Sequence, residues 1–351
     1  MKKLLKLLGW VLTLTILAAG AFFIWISVSS YSPKETEEIC RNEKPVTLND
    51  SAFSIISWNI GYAGLGSEMD FFYEGGKQSR PEEDQMLKYL EGIKEFLVQQ
   101  KETDFYFLQE IDIEAKRSHH TDQLAAIKGV LRNMHCAFAI NYKSAFVPLP
   151  ISAPMGKVES GLAIFSKTEP KISNRISLPM ESSWPMSLFF PVRGLIENRY
   201  SLGGKELVLM NTHNSAYDSG SEREAQVRFI IDRATKEYEA GNFVVIGGDW
   251  NCCPPGFDPK TFAGKKENEY YLSIPAIQDN VAPEGWEWVF DPNVPTNRSV
   301  DIPLCADSTY RTIIDFFLIS PNLEKTNIQT IDLGFALSDH NPITINLICR
   351  K

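Results

Sequence analysis

The sequence has no cysteines in CxxC spacing, and six cysteines in 351 residues are too few for a disulfide scaffold. Both facts argue against a thiolate zinc site. It has no internal repeat and no low-complexity tract, which sets aside solenoid and disordered architectures. Basic charge is also short. Lys plus Arg number 35 against 44 for Asp plus Glu, a net charge of −9. Three of the basic residues, Lys2, Lys3 and Lys6, stand in a leading segment without acids, so the body carries 32 basic against 44 acidic residues, a net of −12. Such a body has no global field to draw in polyanions. Nor does it have a basic run with interleaved aromatics of the kind that tracks single strands. Nucleic acid is therefore not the favoured partner, and nothing implies a protein partner. The rest is ordinary for a globular protein, with 44% hydrophobic and 23% charged residues.

Residues 1–28 stand apart. Three lysines precede an uncharged, mostly apolar run from Leu7 to Val28. Its 22 residues make a helix about 33 Å long, enough for a bilayer core of about 30 Å. A cleavable secretory signal has a shorter apolar core of roughly 7–15 residues. The segment reads as a signal anchor, a single membrane pass with its lysines in the cytoplasm and the body outside. The competing reading is a removed leader and a secreted body. Residues 29–50 are polar, carry Pro33 and Pro45, and read as a tether. Residues 51–351 are then one catalytic domain.

Within the body, short β-branched and aromatic runs recur at Phe53–Trp58, Phe105–Leu108, Cys136–Asn141, Gly161–Phe165, Val192–Asn198, Glu206–Asn211, Phe243–Ile246, Ile313–Ile319 and Ile343–Cys349. Helical periodicity separates some of them. Met86, Leu90, Ile93 and Leu97 share one face, as do Leu124, Ile127 and Leu131. Ser221 and Glu224 have capping-box spacing ahead of Val227, Ile230 and Ile231. Strands interleaved with a few helices predict a layered α/β fold. Gly61–Arg80 and Tyr142–Glu159 read as long loops.

Polar residues cluster where apolar strands end, which is where an α/β scaffold presents reactive groups. SIISWN ends in Asn59, FYFLQE in Glu110, and LVLMNTHNS carries His213. FVVIGGDWN carries Asp249 and Asn251, and ALSDHNP carries Asp339 and His340 ahead of the last strand. Asp315 lies among Ile313, Ile314, Phe316 and Phe317, so if buried it needs a partner. Carboxylates on separate strands, Glu110 and Asp339, can hold a hard cation such as Mg²⁺. Asp249 can act as a general base on water or as a further ligand. Asn59 and Asn251 can hold phosphate oxygens or fix the base without adding charge. The imidazoles of His213 and His340 can donate to oxygens as charge builds up. Asp315 can hold His340 in one tautomer and keep it protonated. The reaction implied is metal-assisted attack of water on a phosphate ester.

The ordered series WN, QE, THN, GDWN, an isolated strand Asp and then SDH resembles the endonuclease/exonuclease/phosphatase superfamily, from about Phe53 to Cys349. That group includes pancreatic-type deoxyribonucleases, abasic-site endonucleases, neutral sphingomyelinases and inositol polyphosphate 5-phosphatases. The resemblance implies a four-layer α/β/β/α sandwich of two packed mixed sheets and Mg²⁺-dependent phosphoester cleavage, with Mn²⁺ as the alternative ion. It implies Glu110 as principal metal ligand with Asn59 beside it and Asp339 on the same side. His213 and His340 would face the phosphate, Asp249 and Asn251 would form the base or second-metal pair, and Asp315 would partner His340. One departure stands out. Abasic-site endonucleases have an Asp two residues after the first-motif Asn, and here that place is Gly61.

The superfamily spans diesters and monoesters, so the fold does not fix the substrate. Two apolar stretches, Phe146–Ile151 and Trp184–Phe190, can touch a bilayer or acyl chains if exposed, or fill the core if buried. They tilt the reading to a phosphodiester of a lipid or small headgroup, as in sphingomyelinases. An extracytoplasmic nuclease and a non-catalytic binder of phosphorylated ligands are the alternatives. Gly75-Gly76-Lys77 and Arg80 are candidates to meet an anionic headgroup, and solvated loop is the competing reading. Cys252 or Cys253 can pair with Cys305, or all remain thiols.

Overall fold

Alternation along the strands decides the layers. In residues 52–59, Phe53 and Ile55 face one way, and Ile56 and Trp58 the other. The same parity splits Phe105 and Phe107 from Tyr106 and Leu108. Both faces of these strands are buried, so each needs a covering layer.

The computed structural model describes residues 1–48, 51–216, 220–262 and 274–350. In chain order its elements are α1 (Lys2–Val28), β1 (Thr36–Arg41), β2 (Thr47–Leu48), β3 (Ala52–Asn59), α2 (Glu83–Gln99), β4 (Phe105–Asp112), α3 (Gln123–Val130), β5 (His135–Val147), β6 (Gly156–Ser166), β7 (Ile172–Ser177), β8 (Gly194–Leu202), β9 (Lys205–His213), α4 (Ser221–Glu239), β10 (Phe243–Asp249), β11 (Glu287–Val289), β12 (Asn297–Arg298), β13 (Arg311–Thr312), β14 (Asp315–Ile319), β15 (Leu323–Thr330) and β16 (Ile343–Cys349). One sheet runs β15-β16-β3-β4-β6-β5, and the other β1-β7-β8-β9-β10-β14-β11 with β2 beside β8. Both are mixed, with β3–β4 parallel in the first and β9–β10 parallel in the second. The sheets pack face to face through Ile55, Phe107, Ile164, Leu209, Val245 and Phe317. Ile93 and Leu97 of α2 and Ile127 of α3 cover the outer face of the first sheet. Val227, Ile230 and Ile231 of α4 cover that of the second. The expected two packed mixed sheets are present, with helices outside both. α1 is long and apolar enough to cross a membrane and is almost wholly unburied.

Several sequence expectations need correction. The 29–50 segment, expected as a tether, carries β1, which pairs with β7, and β2, which pairs with β8. β1 is half exposed, so it has no apolar alternation to betray it. Asn49, Asp50 and Lys351 lie outside the described residues. The 142–159 loop shrinks to residues 148–155, because β5 and β6 run on as a long hairpin. β14 begins at Asp315, leaving Ile313 and Ile314 before the strand. The capping box at α4 does not form. Gly220 is the cap residue, and Ser221 Oγ donates instead to Glu181 Oε2 at 2.9 Å. All six cysteines are free, with Cys252 and Cys253 buried and Cys305 exposed, so the proposed pairing with Cys305 is absent.

One buried cation pins the long 61–80 segment beside the strand ends. The side chain of Arg298 donates to the carbonyls of Leu65 at 3.0 Å, Gly66 at 2.8 Å, Met69 at 3.3 Å and Ser299 at 2.8 Å. Arg298→Ala strands these carbonyls, at roughly 1–3 kcal/mol for each one left unsatisfied. The expected result is a loss of about 3 kcal/mol or more in urea denaturation of the full chain in detergent, with faster proteolysis within 61–80. Unchanged stability would contradict this role.

Candidate active site

The layer between the sheets turns polar at one end. On β3 the inward-facing series Phe53, Ile55 continues to Ser57 and Asn59, and on β4 Phe105, Phe107 continues to Gln109. On β9 Leu207, Leu209 leads to Asn211 and His213, and on β10 Phe243, Val245 leads to Gly247 and Asp249. Asp315 shares the inward face of β14 with Phe317 and Ile319 and is paired in register with Asp249. Thus the strand period of two delivers these side chains to one place. A polar floor closes the core beneath them. Gln109 Nε2 donates to Asn211 Oδ1 at 2.7 Å, and Asn211 Nδ2 donates to the carbonyls of Leu108 and Ala163 at 3.1 and 2.9 Å.

Local backbone devices aim the key groups. Glu110 has φ 57°, at an irregularity in the β4–β6 pairing, which turns its carboxylate out of the strand pattern. Gly248 has φ 137°, and a Cβ there would lie 2.0 Å from the carbonyl oxygen of Thr212, so only glycine fits before Asp249. Asn251 has φ 51°. Its backbone N–H donates to Asp249 Oδ1 at 2.9 Å, and its Nδ2 donates to the Asn214 carbonyl at 2.9 Å. The motif tryptophans are ties. Trp58 Nε1 donates to the His340 carbonyl at 2.9 Å, and Trp250 Nε1 to the Phe316 carbonyl at 3.0 Å. Ser338 Oγ donates to the Asn59 carbonyl at 2.8 Å, lacing the SDH motif to the first strand.

The expected residues converge. His340 Nδ1 is 2.8 Å from Asp315 Oδ2, in a fully buried pair. His340 Nε2 lies 3.7 Å from Asp249 Oδ2 and 3.9 Å from Asp339 Oδ2. His213 Nε2 lies 3.5 Å from Asp249 Oδ2 and 3.8 Å from Glu110 Oε1. Asn59 Nδ2 bridges Asp249 Oδ2 at 3.0 Å and Glu110 Oε1 at 3.3 Å, while its Oδ1 accepts the Gly61 N–H at 3.0 Å.

Electrostatics separate the two imidazoles. Burial lowers the pKa of His340, but Asp315, Asp339 and Asp249 together carry it well above the ordinary histidine value. Burial holds His213 well below that value, helped by Arg193, His340 and Arg117. His340 is therefore the cation and His213 the neutral ring. Burial raises Asp249 to about 7, with His340 opposing. Burial also raises Asp339, with His340 opposing and Glu110 adding to the rise.

The donor set suits a hard divalent cation. Glu110, Asp339 and the Oδ1 of Asn59 offer oxygen alone, the preference of Mg²⁺ and Mn²⁺. A Cβ at Gly61 would lie 2.8 Å from Asp339 Oδ1, so the departure at that position leaves the carboxylate its room. A second grouping, Asp249, Asp315 and His340, brings its ligand atoms within 4.8 Å of one another. There the Nδ1 of His340 already hydrogen-bonds Asp315.

Sequence reasoning missed several residues that line the cleft. Arg117, buried in a bidentate pair with Asp112 at 2.9 and 3.1 Å, lies 3.8 Å from Glu110 and 3.8 Å above the Tyr62 ring. The Asn297 side-chain amide lies 3.1 Å from His340 Nε2, and its otherwise unpartnered oxygen is the end that can accept from a protonated ring. Arg193 and Arg223 line the same cavity, of about 490 Å³, with His213, Asp249 and His340. That volume suits a small-molecule headgroup. Gly75, Gly76, Lys77 and Arg80, candidates for headgroup contact or for a solvated loop, do not line it. Lys77 is exposed, and Arg80 reaches the Pro154 carbonyl instead.

The sequence profile of the Endonuclease/Exonuclease/phosphatase family matches residues 56–340. No curated protein matches the chain. Among solved structures it is similar to an endonuclease/exonuclease/phosphatase from Beutenbergia cavernae, at 18% identity and TM-score 0.58, covering 85% of this chain and 72% of that one. It is also similar to one from Bacteroides vulgatus, at 16% identity and TM-score 0.52, covering 85% and 99%. The human Nocturnin catalytic domain aligns at 16% identity and TM-score 0.51, covering 87% and 97%. The chain belongs to the endonuclease/exonuclease/phosphatase family, a group of metal-dependent phosphoesterases and nucleases.

The two imidazoles give a direct test of the electrostatics. In ¹⁵N NMR of the full chain in EDTA, His340 should be doubly protonated near pH 7 and His213 neutral. Asp315→Asn should move the His340 titration to lower pH, because it removes an anion that favours the imidazolium. A wild-type His340 that is neutral at pH 7 would refute the assignment.

Proposed function

We propose that the chain is a Mg²⁺-dependent phosphoesterase in which water attacks phosphorus, acting on a phosphodiester of a lipid or small headgroup. The observation that carries this is the convergence of His213, Asp249 and His340 on one cleft with the oxygen donors Glu110, Asn59 and Asp339. The bound ion would supply charge for the phosphate oxygens and a lowered pKa for water.

The chain's own residues take complementary parts. Asp249, fixed by Asn59 and by the Asn251 N–H, accepts a proton from the attacking water. The water oxygen bonds to phosphorus as the ester P–O bond breaks, and the leaving oxygen takes its proton from solvent. His340, held by Asp315, donates its Nε2–H to a non-bridging oxygen. His213 offers a neutral N–H to the same phosphate. Asn251, whose amide is held by Asn214, shapes the phosphate side of the cleft. The apolar part of the cavity, with Val147, Leu149, Met186 and Phe190, supports a substrate with an apolar portion.

α1 acts as an uncleaved signal anchor, with Lys2, Lys3 and Lys6 in the cytoplasm and the catalytic body outside. The packing of Ile26 into the body, where it is fully buried, favours retention over cleavage. Alkaline carbonate should leave the chain in the membrane fraction with its leader intact, and a soluble product beginning beyond residue 20 would contradict retention.

Glu110→Ala, Asp249→Ala, His213→Ala and His340→Ala should each keep the circular dichroism of the fold and lower turnover by about 10²-fold or more. EDTA should abolish hydrolysis, and Mg²⁺ or Mn²⁺ should restore it. The substrate panel should include soluble diesters, monoesters, phospholipids and plasmid DNA. Near wild-type rates in both histidine variants, or indifference to EDTA, would overturn the reading, and preferential cleavage of plasmid would replace the lipid with nucleic acid.

A further inference from the structure

We infer that the catalytic cleft opens onto the bilayer holding α1, so that its substrate is drawn from that membrane as the phosphate headgroup of a lipid. This rests on the phosphoesterase reading above and adds the route by which substrate arrives.

The last turns of α1 are docked on the body. Phe22 meets Phe146 edge-on, with ring centroids 6.3 Å apart. Phe23 lies 6.0 Å from Trp184, whose Nε1 donates to Ser27 Oγ at 3.3 Å. Ile26 has no exposed surface. Length then constrains depth. If Phe22–Val28 stood clear of the membrane, Leu7–Ala21 would have to span it alone. Those 15 residues reach about 22 Å, short of the roughly 30 Å core. Spanning takes about 20 residues, which carries the docked turns, and with them Phe146 and Trp184, into the membrane's outer layer.

The two loops that receive α1 look built for that layer. Ile151 is 86% exposed, Trp184 64%, Met186 52% and Leu149 46%. Large apolar side chains exposed together at this level mark an interaction surface, and tryptophan favours the interfacial zone. The loops form one platform, because Tyr142 Oη donates to the Phe189 carbonyl at 2.8 Å and Ser144 Oγ to the Leu188 carbonyl at 2.9 Å. Leu149 and Met186 belong to two surfaces at once. They are half exposed on this face, and they line the cavity that holds His213, Asp249 and His340. An apolar path therefore runs from the bilayer contact to the catalytic groups. A lipid can bring its phosphate to His340 while its chains stay against Leu149 and Met186, without leaving the membrane.

The test uses the full chain in phosphatidylcholine vesicles, with two variants at positions that do not line the cavity, Ile151→Asp and Trp184→Ser. Hydrolysis of vesicle phospholipids (phosphatidylcholine, phosphatidylethanolamine, phosphatidylglycerol and sphingomyelin) is compared with that of soluble bis(p-nitrophenyl) phosphate. Both variants should lose roughly tenfold or more on lipid and keep their rate on the soluble diester, since apolar contact at the membrane is removed while the cavity lining is unchanged. Equal losses on both substrates, or none on lipid, would overturn the inference while leaving the phosphoesterase reading intact. A wild type inactive on every substrate would overturn that reading instead. A second arm is independent of catalysis. Phosphatidylcholine with a photoreactive group in its acyl chain should cross-link to residues 146–151 and 184–190. Cross-links confined to α1, or contacts of these loops with a second copy of the chain, would also overturn the inference.

Discussion

The site depends on a single buried ion pair. Asp315 and His340 lie 2.8 Å apart with almost no solvent contact. A buried charge without a partner costs several kcal/mol, so separating the pair is unfavourable. The surroundings hold the pair in register. The backbone N–H of Asp315 donates to Thr296 Oγ1, and the carbonyl of His340 is tied to Trp58. With Asp249 and Asp339 close by, the imidazole is kept as a cation aimed into the cleft. Burial, with Arg193, His340 and Arg117 adding to it, keeps His213 neutral. Two identical side chains thus take different charge states from their neighbours, which a site for an anionic substrate can exploit.

The scaffold achieves this by a simple rule. Strands from both sheets point every second residue into one shared layer, apolar for most of its length and polar at one end. Placing Asn59, Gln109, His213, Asp249 and Asp315 in phase with the core residues behind them is enough to gather them. What remains is adjustment. Glu110 leaves the strand pattern through a left-handed residue, and Gly248 lets β10 approach β9 where any side chain would collide.

That rule also explains what the sequence disclosed. Residues near strand ends were legible, because WN, QE, THN and GDWN each follow an apolar run and SDH precedes one. Arg117 and Asn297 were not, because they arrive from a short helical turn and a two-residue strand with no periodicity. β1 was hidden by its half-exposed edge position. The capping-box spacing at Ser221 misled because Glu181, forty residues earlier in the chain, takes the hydroxyl. Gly75-Gly76-Lys77 and Arg80 looked like headgroup contacts by composition, yet it is Phe71, Tyr73 and Glu74 of the same loop that line the cavity. The docking of α1 on two apolar loops is a long-range contact, which local pattern cannot reveal.

The end of α1 packs on the loops beside the candidate site, yet the central claim is chemical and is tested apart from any membrane. Hydrolysis of a soluble phosphodiester in H₂¹⁸O with Mg²⁺, read by mass spectrometry of the products, reports where the new bond forms. The account predicts one ¹⁸O in the phosphorus-containing product and none in the released alcohol. Label in the alcohol, or none in either product, would contradict attack of water on phosphorus.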